Sequence, residues 1–305
     1  MTETFSGEGR GKLILFGEHA VVYGHRALAC SVPRGARVEL SRSPAPSWTV
    51  DHPGGSFTAN NDVLRAGEIL LRHLDLRPAE LTIRVELSIP VGAGLGSSAA
   101  MAVALARAAC ALQEIPPERQ EAIVFDAVAA SEQILHGNAS GIDQAAACSR
   151  GFFTFTRGAA PEPLQAPDRR WLIARVAPAA STSRLVQGVA DRRGRHPALL
   201  DTIFQEIDDL AAAGADALRA GRFEEVGELM DINQGLLNAL GVSTPALEQA
   251  CFAARQAGAL GAKLTGAGGG GCIVALPAEE SPGPCAVYNA LRDLGEVFEF
   301  SLPDA

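Results

Sequence analysis

Leu81-Thr-Ile-Arg-Val-Glu-Leu-Ser-Ile89 alternates apolar and polar residues over nine positions, then breaks at Pro90 into Val-Gly-Ala-Gly-Leu-Gly-Ser-Ser-Ala99. Strict alternation marks a half-buried strand. Gly92, Gly94 and Gly96 let the backbone approach a ligand closely, and Ser97 and Ser98 open an alanine-rich helix expected to reach about Gln113. A helix N-terminus offers free N–H groups and a partial positive charge, so a strand–glycine loop–helix unit suits phosphate. The spacing is not Walker A, which needs Gly-Lys-Ser/Thr, and it is not Gly-x-Gly-x-x-Gly. The plainer reading is a tight turn with a serine cap. Ser98 shares a helical face with Met101, Leu105 and Leu112, which aims its hydroxyl at the packed side.

Working outward, a buried strand is expected over 11–16 and two short strands over 26–42, broken near Pro33. A loop or edge hairpin follows over 43–56, then a helix over 62–74. After the central helix come a second from about Glu118 to Leu135, a short one from Gly141 to Cys148, and a strand over 151–156. The Pro-rich stretch 157–170 reads as a linker or long hairpin, and the domain boundary is placed there, giving domains 1–165 and 166–305. The second half reads strand, grouped helices, two strands, helix, strand, which is the split βαβ or ferredoxin-like pattern. Neither half alternates regularly, so the class is α+β.

Three further segments carry chemistry. Lys263-Leu-Thr-Gly-Ala-Gly-Gly-Gly-Gly-Cys272 contains a formal Gly-x-Gly-x-x-Gly, but it leads into a strand rather than a helix, so it is no dinucleotide fingerprint. It marks either close backbone approach or a flexible hinge. In Ser131–Asp143, Glu132 shares a helical face with Val124 and Val128, so its carboxylate needs a cation, either a structural partner or a metal. Asp143 follows Ser140 by three, as in a capping box, and a carboxylate there is also placed to accept a proton. In Gly11-Lys-Leu-Ile-Leu-Phe-Gly-Glu-His-Ala-Val-Val-Tyr-Gly24 a buried strand ends at Glu18 and His19. Lys12 and Lys263 are the only lysines among 26 basic residues, and both sit beside glycine motifs. An ammonium is a compact point charge that arginine does not replace at a tight site.

The chain has 305 residues, 47% apolar and 20% charged, which excludes a mainly disordered or fibrous protein. The net charge of −9 and the lack of a basic tract leave nucleic acid out of the expected partners. The N-terminus does not read as a signal peptide, no apolar run is long enough to span a bilayer, and the six cysteines form no Cys-x-x-Cys pair. A cytoplasmic enzyme that does not associate with membranes is expected.

Together, Gly11-Lys12…Gly17-Glu-His19, Pro90–Ser98 and Lys263–Gly271 resemble, in order and spacing, the three motifs of the GHMP small-molecule kinases, over a span from about Lys12 to Leu276. The segments 17–24, His136–Asp143 and the Lys263 loop with Cys272 are most similar to the mevalonate kinase branch. Galactokinase-like chains follow Glu-His with Thr-Asp, and phosphomevalonate kinases show Glu-Tyr. The resemblance implies a two-domain GHMP fold, ribosomal protein S5 domain 2-like then ferredoxin-like, and ATP-dependent phosphorylation of mevalonate, with ATP and Mg²⁺ as cofactors. It implies Asp143 as base and Lys12 beside the transferring group. Pro90, Gly92, Ala93, Gly94, Leu95, Gly96, Ser97 and Ser98 would bind the nucleotide phosphates, and Ser98 and Glu132 the Mg²⁺. Glu18, His19, Thr182 and Gly268 would line the acceptor pocket, with His19 near the mevalonate carboxylate. A homodimer is compatible with the family. The chain departs from the pattern in two places: Gly9-Arg10-Gly11 stands for Ala-Pro-Gly, and Gln144 for Asn.

Overall fold

The computed structural model describes residues 3–52, 55–58, 61–136, 141–280 and 283–302. The first elements are β1 (Thr4–Phe16), β2 (Ala27–Arg42), β3 (Ser47–His52), β4 (Gly55–Thr58), α1 (Asn61–His73), β5 (Leu81–Leu87), α2 (Ser97–Leu112), α3 (Pro117–His136) and α4 (Ile142–Cys148). They are followed by β6 (Phe152–Phe155), β7 (Glu162–Leu164), β8 (Arg169–Ala177), α5 (Thr182–Arg195), α6 (Pro197–Arg219), α7 (Phe223–Ala239) and α8 (Pro245–Gln256). The chain closes with β9 (Ala259–Leu264), β10 (Gly271–Pro277), α9 (Gly283–Arg292) and β11 (Glu296–Leu302). The class is α+β, as read from the sequence.

Contacts gather the chain into two units: 1–12, 31–91 and 95–149 form one, and 13–30, 92–94 and 150–305 the other. The sequence placed the division at 165/166. The chain changes unit at 149/150 instead, because β6 pairs with β2 residues Ala27–Cys30 and β7 pairs back on β6 as a hairpin. The predicted break near Pro33 is absent. β2 is one strand, and Pro33 falls between the stretch that pairs with β6 and Ala36–Arg42, which pairs with β5. Its missing N–H therefore costs neither ladder a rung.

In the first unit, β5 lies antiparallel to β2 and parallel to β3. The alternation read from the sequence holds: Leu81, Ile83, Val85 and Leu87 are buried in one core with Val38, Leu40 and Val50. The helices add Leu70 and Leu71 from α1, Val103 from α2, and Val124 and Val128 from α3. β1 begins earlier than expected, at Thr4. A Cβ on Gly7 would lie 2.2 Å from the Ala104 carbonyl oxygen, and one on Gly9 2.1 Å from that of Ala100. The first glycine of Gly9-Arg10-Gly11 thus belongs to a strand pressed against the alanine face of α2. Arg107 on α2 donates to the Glu8 carbonyl at 2.8 Å and to both Glu121 carboxylate oxygens at 2.9 and 3.0 Å, tying β1 and α3 to this helix.

In the second unit, β8 to β11 form an antiparallel sheet of order β11-β8-β10-β9. This is the split βαβ arrangement the sequence pattern predicted. Leu172, Ala174, Phe204, Leu237, Leu247 and Ile273 anchor its core. Helix α5 was not expected. It is polar, with only Val189 buried, so it shows no apolar stripe to read. Among the described residues no helix is long and apolar enough to cross a membrane.

Candidate active site

Lys12 ends the first unit's share of β1. It is 7% exposed, and its backbone N–H donates to the Leu95 carbonyl at 2.8 Å. Its ammonium lies 2.8 Å from Asp143 Oδ1. Asp143 sits in the first turn of α4, which starts at Gly141 in a left-handed conformation (φ 85°) with no side-chain cap. Ser140, the other half of the expected capping box, lies outside the described residues. Gln144 is buried and donates through Nε2 to the Phe125 carbonyl. That bond docks α4 on α3 and accounts for an amide beside Asp143.

Gly96 completes this cluster. It takes φ 74° as N-cap of α2, and a Cβ there would sit 3.1 Å from Lys12 Cβ and 3.3 Å from Asp143 Oδ1. Only glycine meets both demands without strain. Along the loop Pro90, Ala93 and Leu95 are buried while Gly92 and Gly94 are exposed, both with positive φ. Buried residues thus anchor a loop whose glycines face outward. The first turn of α2 has no side-chain cap, which leaves its amides for a bound anion. This fits nucleotide phosphates.

Of the two residues expected to hold Mg²⁺, only one is described with its side chain. Ser98 is half-buried in the first turn of α2. Glu132 lies in α3, one turn beyond buried Val128, and its side chain is outside the described residues. No group of three His, Cys, Asp or Glu suited to a metal occurs among the described residues. One hydroxyl and one carboxylate, completed by phosphate and water, is the sparse donor set that Mg²⁺ takes.

The expected acceptor residues lie in the second unit. Glu18 is not open to a ligand: it is 1% exposed, and its carboxylate is held by Lys263 and by Asn233 Nδ2 at 3.2 Å. This corrects the expectation that it lines the acceptor pocket. His19 is buried with φ 61°, and its Nε2–H donates to the Ala267 carbonyl at 2.9 Å. Burial holds its pKa below the ordinary value, opposed by the Ala267 bond and the Glu18 charge. A neutral imidazole whose Nε2–H is taken offers an acceptor at Nδ1, which suits a hydroxyl better than the expected carboxylate. Thr182 is exposed at the start of α5, while its neighbours Ser181 and Ser183 share a hydrogen bond at 2.9 Å.

The C-terminal glycine loop is no hinge. A Cβ on Gly268 would strike the Val242 carbonyl oxygen at 2.2 Å, one on Gly270 the Pro178 oxygen at 2.1 Å, and one on Gly269 the Ala180 side chain at 2.8 Å. Gly268 is itself buried, so its glycine serves packing; it is not free to touch an acceptor as expected. The Thr265 hydroxyl, which the sequence reading missed, accepts from Ile14 N at 3.1 Å and donates to Ile14 O at 3.0 Å.

Two family descriptions match: GHMP kinases N terminal domain over residues 61–151 and GHMP kinases C terminal over 215–296. The chain is 35% identical over 296 residues to a mevalonate kinase of Thermococcus gammatolerans, covering 88% of each. It is 36% identical over 276 residues to one of Methanothermobacter thermautotrophicus, covering 88% of this chain and 89% of that one. Among solved structures it is similar to L. major mevalonate kinase in complex with R-mevalonate, with a TM-score of 0.85 and 26% identity over 98% of this chain and 96% of that one.

Proposed function

The chain belongs to the mevalonate kinase family of GHMP kinases, and from that premise we propose that it transfers the γ-phosphoryl group of ATP to the 5-hydroxyl of mevalonate, yielding 5-phosphomevalonate. The observation that carries the mechanism is the Lys12–Asp143 pair set against Gly96. Asp143 keeps an open edge, with 38% of its side chain exposed, and accepts the proton of the acceptor hydroxyl as it attacks in line. Lys12, held by Leu95 and by Asp143, places a fixed positive charge beside the oxygens of the transferring group. The backbone of Gly92–Ser97 binds the phosphates, with the uncapped amides of α2 favouring negative charge. Ser98 and Glu132 would hold Mg²⁺, which when bound neutralises phosphate charge. Phosphoryl transfer asks the protein mainly for this positioning and charge compensation.

The similar L. major structure, named as a complex with R-mevalonate, supports the acceptor assignment. Six unpaired cysteines suit the reducing cytoplasm, where this reading places the enzyme. The test is ADP release from Mg-ATP with mevalonate, phosphomevalonate, galactose and homoserine offered separately. Turnover on mevalonate alone is expected. Turnover on another acceptor alone would keep the chemistry of Lys12 and Asp143 and discard the substrate.

A further inference from the structure

One of the chain's two lysines has no part in the chemistry above. Lys263, next to last in β9, is fully buried, with its ammonium donating to Glu18 Oε1 and, at 2.6 Å, to the Leu264 carbonyl. The second Glu18 oxygen accepts from Asn233 on α7. Burial pulls the Lys263 pKa below the usual lysine range, and the Glu18 carboxylate opposes that pull. An ion pair taken wholly out of water is a poor source of stability, because an apolar pair of similar volume often does as well. In some proteins such a pair is kept because it fixes a register.

The register at stake is visible. Glu18 precedes His19, a non-glycine residue held at φ 61°, whose imidazole grips Ala267 inside the C-terminal glycine loop. That loop bears directly on the tip of the phosphate loop. A Cβ on Gly271 would lie 3.2 Å from the Ala93 carbonyl oxygen, and one on Gly266 3.4 Å from that of Gly94. A continuous path of packed groups therefore leads from Lys263 through Glu18, His19 and Ala267 to Ala93 and Gly94.

We propose that Lys263 is a positioning residue for the nucleotide: its buried pair with Glu18 locks the Gly17–His19 turn to the C-terminal glycine loop and so sets the Gly92–Gly94 tip at the height that ATP phosphates require. The inference rests on Gly92–Gly94 being the phosphate loop. It reassigns Glu18 from the acceptor to the internal frame of the nucleotide site.

The test compares the wild-type enzyme with the double variant Glu18→Gln/Lys263→Met, which removes both charges at nearly constant shape. Melting temperature, KM for mevalonate, KM for ATP and the Kd for Mg-ATP by direct titration are measured together. The double variant is expected to melt close to wild type, to lose at least tenfold in Mg-ATP affinity, and to change KM for mevalonate by less than threefold. A merely structural pair predicts recovery of both stability and ATP affinity in the double variant, and that result overturns the proposal. Equal losses toward ATP and mevalonate also overturn it. Glu18→Gln alone keeps an acceptor oxygen for the Lys263 ammonium while its amide N–H2 replaces the oxygen that accepts from Asn233, and it is read the same way should the double variant not fold. If wild-type protein binds Mg-ATP but does not phosphorylate mevalonate, the function proposed above fails, and the positioning role is judged on the ratio of Kd values alone.

Discussion

Lys12 Nζ stands 2.8 Å from Asp143 Oδ1, yet the lysine side chain is 8% exposed and the aspartate 38%. The pair is lopsided: the cation is sealed in and the carboxylate keeps a free side. A purely structural ion pair has no need of that asymmetry, whereas a base steadied by a buried cation does.

Asp143→Asn keeps the shape of the carboxylate and a partner for Lys12. It is expected to lower kcat by about 10²-fold or more, the usual size of a general-base contribution. Mg-ATP affinity, measured by titration, should stay within about twofold if the Gly92–Ser97 backbone holds the phosphates as proposed. Near-normal turnover would remove Asp143 from the role of base.

Lys12→Arg conserves charge but not size. Lys12 is 7% exposed and its ammonium already lies 2.8 Å from Asp143 Oδ1, so a longer, planar guanidinium must shift itself or the carboxylate. Loss of kcat by about 10²-fold is expected, as for a catalytic group displaced by about 1 Å. An arginine variant with kcat near wild type would show that the position needs only a positive charge.

Gly96→Ala separates geometry from charge. The substitution forces an L-residue to φ 74°, which costs about 1–2 kcal/mol, and pushes a methyl against Lys12 and the Asp143 carboxylate. A modest fall in melting temperature with a fall in kcat of about tenfold or more is the expected pattern. If kcat survives while stability drops, Gly96 serves only the turn.

Much of this was legible because local patterns carried it. The alternation of Leu81–Ile89 survives intact in the buried residues of β5, and Glu132 was placed one turn beyond Val128 by helical spacing alone. The failures have a common physical cause: they depend on partners distant in sequence. Lys263 and Glu18 are 245 residues apart, and no local rule says that each neutralises the other. Thr265 and Ile14, 251 residues apart, are equally silent. The expected strand began only at Gly11, leaving out the part of β1 that holds Gly7 and Gly9. Their period of two was the missed signal, since it marks the face of β1 that meets the backbone of α2. Pro33 read as a break because the ladders on either side of it were not yet known.

Thr265→Val tests whether the C-terminal glycine loop is held rather than mobile. The hydroxyl serves both the N–H and the carbonyl of Ile14, and all of these groups are buried. Valine fills the same volume and leaves two backbone groups unpaired, which costs roughly 1–3 kcal/mol. Calorimetry should show a clear loss of stability in the valine variant and recovery in Thr265→Ser. A valine variant as stable as wild type would mean that the loop is fixed by glycine packing alone.

His19 gives a pH signature with a defined sign. Burial holds its pKa below the ordinary 6.5 in the folded chain. Between that lowered value and 6.5 the unfolded chain binds a proton that the folded chain does not. Stability is therefore unaffected by this group well above pH 6.5 and falls as pH drops through that value, levelling only under the folded pKa. His19→Gln retains a donor for the Ala267 carbonyl and removes the titration, so it isolates the effect. Denaturant melts at pH 7.5, 6.5 and 5.5 should show the wild-type enzyme losing more stability between 6.5 and 5.5 than His19→Gln does, with a clearly smaller difference between 7.5 and 6.5. Parallel curves across all three values would mean that His19 takes its proton inside the fold, as an imidazolium facing an acceptor carboxylate would. That outcome would restore the role the sequence first suggested for it.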